Sequence, residues 1–158
     1  MTADVQIKDT EEISRILDEL LVRSEAETCL LCDSGGHVLA HHGVKREDPF
    51  ALGALGAGVF AASKELARML GETEFDTVFH QGRNTNLLIR GVTPDVLLVI
   101  IFTHATSLGL VKLYTDPATA ALQSLFETIR TRGAPLPVDD HRSFVLRDQV
   151  LFTAQPPS

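Results

Sequence analysis

Residues 96–102, Val-Leu-Leu-Val-Ile-Ile-Phe, restrict the fold more than any other stretch of the chain. A β-strand turns successive side chains to opposite faces, so a strand without a polar position has no face to give to water. Its β-branched content favours extended backbone. The segment predicts a central strand covered on both sides, and hence a sheet with a layer of structure on each face. The run is too short for a bilayer, which takes roughly 20 apolar residues. The same reading applies to the other long apolar run, residues 50–62.

The remaining sequence offers those layers. In residues 9–25, Ile13, Ile16, Leu17, Leu20 and Leu21 recur at i, i+3, i+4, i+7 and i+8, the stripe of an amphipathic helix. Asp9 is the expected N-cap and Glu12 its capping-box partner. Residues 28–33 and 37–42 read as strands joined by a turn at Ser34-Gly35-Gly36. Asp48-Pro49 opens a second helix, expected to reach about residue 70 and to stop at Gly71. Residues 76–81, 85–91 and 95–102 read as strands, the last two forming a hairpin through the turn at 91–95. Residues 107–114 and 116–132 read as two helical segments with a kink or break at 115–117, because Pro117 lacks an N–H and crowds the preceding turn. Gly133 is the expected stop.

The element order is αββαβββα, an α+β chain, with a domain over residues 9–131. Residues 132–158 form a linker (134–137) and a tail. In the tail, Phe144, Val145, Leu146, Val150, Leu151 and Phe152 need burial. Helix and strand fit its pattern about equally, and a short docked helix is the expectation.

Candidate chemistry is sparse. A net charge of −7 disfavours nucleic acid and anionic membrane as partners. Two cysteines do not make a disulfide framework, which points to a reducing compartment. Residues 1–12 are polar and acidic, unlike a signal peptide, so the expected location is the cytoplasm. Cys29 and Cys32, with His37, His41 and His42 close behind, invite a zinc or redox reading. On a strand, however, Cys29 and Cys32 point to opposite faces, as do His41 and His42, so neither pair can chelate one ion. His80 has no serine in a nucleophile-elbow context to serve. The expectation is a protein without metal, cofactor or active site.

The second helix is rich in small residues, among them Gly53, Gly56, Ala57 and Gly58. Helical glycine costs about 1 kcal/mol relative to alanine, so something packs close to this backbone. That neighbour is either the chain's own sheet or a second helix across a homodimer. No phosphate-binding loop accounts for the glycines, since they lie within a helix and no GxxxxGK[ST] is present.

Taken together, the hairpin CLLCDSGGHVLAHHG, the helix ALGALGAGVFAASKELARMLGE, the segment FDTVFHQG and the segment VLLVIIFTHATSLGLVKL resemble the Roadblock family of dynein-light-chain-like proteins. The resemblance covers roughly residues 9–131. It is nearest to bacterial members that partner a Ras-like gliding GTPase. It implies an α/β/α sandwich around a five-stranded antiparallel sheet. It also implies a homodimer built by pairing the third strand with its mate and laying the second helices side by side. Gly53, Gly56, Ala57, Val78, Phe79, His80 and Gln81 are then the dimer candidates. The resemblance further implies a GTPase docked on the paired second helices, with Phe60, Ala61, Lys64, Glu65 and Arg68 as contact candidates. Hydrolysis would be stimulated without an arginine finger, in polarity and gliding motility at a cell pole. The alternative is a dimeric scaffold or effector in a larger assembly. The chain departs from the family pattern at Ser63, Lys64 and Glu65, where the resemblance calls for smaller residues. A glutamate on that surface weighs on docking.

Overall fold

A computed structural model describes residues 5–73, 76–132, 144–147 and 150–153. The elements are α1 (Ile7–Ser24), β1 (Thr28–Asp33), β2 (Val38–Gly43), α2 (Pro49–Met69), β3 (Thr77–Gln81), β4 (Thr85–Thr93), β5 (Val96–Thr103) and α3 (Leu108–Arg132). Two short strands follow, β6 (Phe144–Arg147) and β7 (Val150–Thr153). The expected αββαβββα order is present. Gly133 and the linker 134–137 lie outside the described residues.

The main sheet runs β2-β1-β5-β4-β3, and each neighbouring pair is antiparallel. β5 is central, and every residue from Val96 to Phe102 is buried. Alternation divides the core in two. On one face Val96, Leu98, Ile100 and Phe102 meet α1 through Ile13, Ile16, Leu17 and Leu20, and α3 through Val111, Leu122, Phe126 and Ile129. On the other face Leu97 and Val99 join Leu30, Cys32, Val38 and Ile89 beneath Ala57 and Phe60 of α2. The result is the expected α/β/α sandwich, with two helices on one face and one on the other.

Local chemistry shifts three boundaries. α1 begins at Ile7 with Gln6 as N-cap, so Asp9 is not the cap but the acid three positions in. Its carboxylate accepts the Gln6 N–H at 2.8 Å and pairs with Arg132 of α3. Glu12 instead pairs with Arg15. β2 starts at Val38 because the His37 ring turns back to Asp33 at 3.1 Å. α3 is continuous through Pro117, so of the expected kink or break there is no break. Proline removes one helical hydrogen bond. Val111 and Thr115 before it, and Ala118 and Leu122 after it, are buried, so both halves are held against the sheet.

The tail also departs from expectation. β6 and β7 pair as an antiparallel hairpin, Phe144 opposite Thr153, where a docked helix was expected. Apart from Arg147, its strands are made of β-branched, aromatic and leucine residues. Only two residues of sequence separate them, the length of the commonest hairpin connection.

Candidate interaction surface on α2 and the β3 edge

α2 opens where the sequence places it. Asp48 accepts the Phe50 N–H at 3.0 Å, and Pro49 occupies the first helical position. The inward stripe is Gly53, Gly56, Ala57, Phe60, Ser63 and Ala67. A Cβ at Gly53 would stand 2.8 Å from the Gly36 carbonyl oxygen, and one at Gly56 would stand 3.2 Å from a Val99 methyl. The glycines at 53 and 56 therefore let the helix settle on its own sheet. A Cβ at Gly58 would meet nothing within 4 Å.

This corrects part of the candidate list. Gly53, Gly56 and Ala57 face the sheet of their own chain, so they do not form a dimer surface. Phe60 is 6% exposed and lies over Gly91, so it is core and not a partner contact. Its helical phase decides this, since residues 53, 56, 57, 60 and 67 fall on one side at 3.6 residues per turn. Lys64 is half-buried. Its ammonium donates to the Pro94 carbonyl at 3.3 Å and lies 5.2 Å from the centre of the Phe60 ring, buttressing the β4–β5 turn. Ala61, Glu65 and Arg68 are exposed, the last two as an ion pair. Of the residues that depart from the family pattern, Ser63 is buried against the sheet, Lys64 is tied to the turn, and Glu65 alone stands on the outer surface.

The outer side of α2 carries a second stripe that sequence reading missed. Ala51, Leu55, Gly58, Ala62, Leu66 and Met69 are exposed and spaced 4-3-4-4-3, the pattern of a helix–helix seam. Leu55 is 70% exposed, Leu66 55% and Met69 75%. The spacing is legible in the sequence, but the glycines mark close packing on the inner side and carry no sign of the outer one. With both stripes, α2 is long and apolar enough to cross a membrane by length and composition, although the apolar run alone reads as too short. Its inner stripe nonetheless packs on the sheet.

β3 forms one edge of that sheet. Among the described residues no strand pairs with its outer side. Val78 packs toward α2, and Phe79 stacks on Phe102 on the opposite face with ring centroids 6.1 Å apart. Their side chains serve this chain's own cores, while the outer row of backbone groups stays available. His80 and Gln81 are exposed at the end of the strand.

The cysteines and histidines do not converge. Cys29 lies in the core under α1 and α3, and Cys32 in the core under α2, on opposite faces as the strand period requires. Burial pushes the Cys32 thiol up to about 12, with Asp33 adding a smaller push, and burial also raises the Cys29 thiol. His42 pairs with Asp18 of α1 at 2.7 Å. His41 is lowered by burial first, then by Lys45 and His42, and its Nδ1 is buried without a partner. Among the described residues, no three His, Cys, Asp or Glu side chains are grouped to hold a metal ion.

The sequence model of the Roadblock/LC7 domain matches residues 12–102, from α1 through β5. The chain belongs to the Roadblock/LC7 family. Solved family structures agree with the fold. MglB of Myxococcus xanthus is 35% identical, covers 76% of this chain and 91% of its own, and superposes with a TM-score of 0.73. The gliding protein MglB of Thermus thermophilus is 34% identical, with coverages of 75% and 91% and a TM-score of 0.70. An uncharacterized protein of Aquifex aeolicus is 25% identical over 126 residues, 78% of each chain. As a Roadblock domain, the chain keeps its family fold in α1–α3, while the β6–β7 tail lies beyond the matched family segment.

Proposed function

We propose that this protein is a homodimeric, non-enzymatic regulator of a small Ras-like GTPase of the MglA kind, and that it stimulates GTP hydrolysis in the cytoplasm. The observation that carries the reading is the 34–35% identity to two MglB chains over 91% of their length. The outer stripe of α2 and the open β3 edge support the dimer. An exposed apolar seam and an unpaired strand edge are both costly to leave in water. Ala61, Glu65 and Arg68, on one flank of the same helix, are the remaining GTPase candidates. A regulator of this kind holds the GTPase switch segments and attacking water in place. It lowers the barrier by positioning, without adding a charge of its own to the transition state.

Single-turnover GTP hydrolysis by the Ras-like GTPase of the same organism tests the reading. The expected result is a rise of about tenfold or more, a barrier lower by at least about 1.4 kcal/mol, saturating at one dimer per GTPase. Leu66→Glu is expected to halve the mass of this protein in solution and to abolish the rise. Glu65→Arg is expected to change affinity without changing the dimer. Binding with no change in rate would replace the activator reading with a scaffold or effector. Neither binding nor a rate change would refute both.

A further inference from the structure

We propose that the C-terminal hairpin β6–β7 is an intramolecular cover for the β2 edge of the sheet, and that it keeps this edge from pairing with another chain. The inference is independent of the GTPase reading.

An open sheet has two edges, here β2 and β3. β2 pairs inward with β1 from Thr28↔Gly43 to Cys32↔Val38. No ladder among the described residues uses its outer side. Its sequence, VLAHHG, holds no lysine, carboxylate or proline. Charge and proline are the usual means by which an edge is kept from recruiting a strand, so β2 lacks them. A register shift opposite Leu31 and Cys32 twists the strand, which is a partial guard only.

The chain supplies the missing guard from its own tail. Cα atoms of β6 come within 8 Å of β2, and those of β7 within 8 Å of α1. The hairpin's ladder is internal, so it lies against the edge as a separate two-stranded sheet and is not a sixth strand. A lone hairpin is marginal in water, so it needs a surface as much as the edge needs a cover. Reach is sufficient. α3 ends at Arg132 and β6 begins at Phe144. The intervening chain spans up to about 40 Å when extended, whereas five strands are about 19 Å across. The other edge, β3, has no such cover among the described residues, so strand pairing with another chain is directed to that side.

The test uses the full chain carrying Val145→Pro and Leu146→Pro together. Successive strand amides point to opposite sides, so the pair removes one N–H directed at β7 and one on the other side. Hydrogen exchange in residues 38–43 is expected to quicken by about tenfold. Sedimentation velocity is expected to show species of at least twice the wild-type mass, growing with concentration. Leu151→Pro with Phe152→Pro, on the other strand, is expected to do the same. Adding His41→Lys to either pair is expected to restore the wild-type mass, because an edge lysine opposes strand pairing. Unchanged mass in both proline pairs overturns the proposal, whatever the exchange shows. Larger species that persist with His41→Lys place the new contact elsewhere and overturn it too. Loss of the cooperative melt in both pairs makes the hairpin part of the core, which also overturns its role as a cover.

Discussion

Alanine at Gly53 and alanine at Gly58 are the same substitution in the same helix, and the packing assigns them opposite signs. In each case the helix gains about 0.5–1 kcal/mol in intrinsic propensity. At Gly58 nothing within the chain itself opposes that gain, since none of its atoms lies within 4 Å of the new Cβ. At Gly53 the methyl would stand 2.8 Å from the Gly36 carbonyl oxygen and 3.2 Å from a Val38 methyl. The oxygen cannot swing away. Gly36 has φ +88°, and its own Cα position faces the Ala54 backbone, where a Cβ would be 2.7 Å from the Ala54 Cα. Overpacking of this kind costs about 1–3 kcal/mol, so Gly53→Ala is expected to lose about 1 kcal/mol net. The two variants then differ by roughly 2 kcal/mol, or about 4–8 °C in Tm for a chain of this length. Urea unfolding followed by circular dichroism at two protein concentrations measures both effects and separates stability from association. Equal stability of the two variants would refute the assignment of the inner and outer sides of α2.

Other consequences are as direct. Both thiols are expected to resist alkylation in the native protein at pH 8 and to react on unfolding, because burial holds Cys32 near 12 and raises Cys29 as well; native labelling would refute their burial. Asp9→Ala removes the Gln6 cap and one half of an ion pair in which Asp9 is 3% exposed, and is expected to cost about 3 kcal/mol in urea unfolding. His41 has its folded pKa below the ordinary 6.5, so the unfolded chain binds its proton first as pH falls. Its contribution is present above that value and is lost on acidification through it, so His41→Gln is expected to flatten the fall in stability between pH 7 and pH 5.

Local pattern and turn chemistry carried much of the architecture. The two-faced apolar run of β5 demanded cover on both sides, and the sandwich supplies it. The α1 stripe and the Asp48-Pro49 start fall where their spacing places them, because each depends on neighbours a few residues away. The failures involve distant neighbours. The inner and outer sides of α2 both mix small and large apolar residues, and only the sheet beneath distinguishes Gly53 from Gly58. Pro117 reads as a break until the burial of residues on either side of it is known. Lys64 reads as surface, and only the fold brings the Pro94 carbonyl, 30 residues away, within its reach. The tail fits helix and strand about equally, since its apolar residues satisfy neither period cleanly.

The two sides of α2 also bear on how such a protein changes over generations. Its inner positions are small apart from Phe60, and there the chain's own fold sets strict limits. Leu55, Ala62, Leu66 and Met69 face away from the sheet, so substitutions there can reshape what the helix recognises while leaving its seat intact. Under the dimer reading proposed above, a lineage can therefore retune its self-association by conservative apolar changes on a single helical stripe while the fold of each chain is kept.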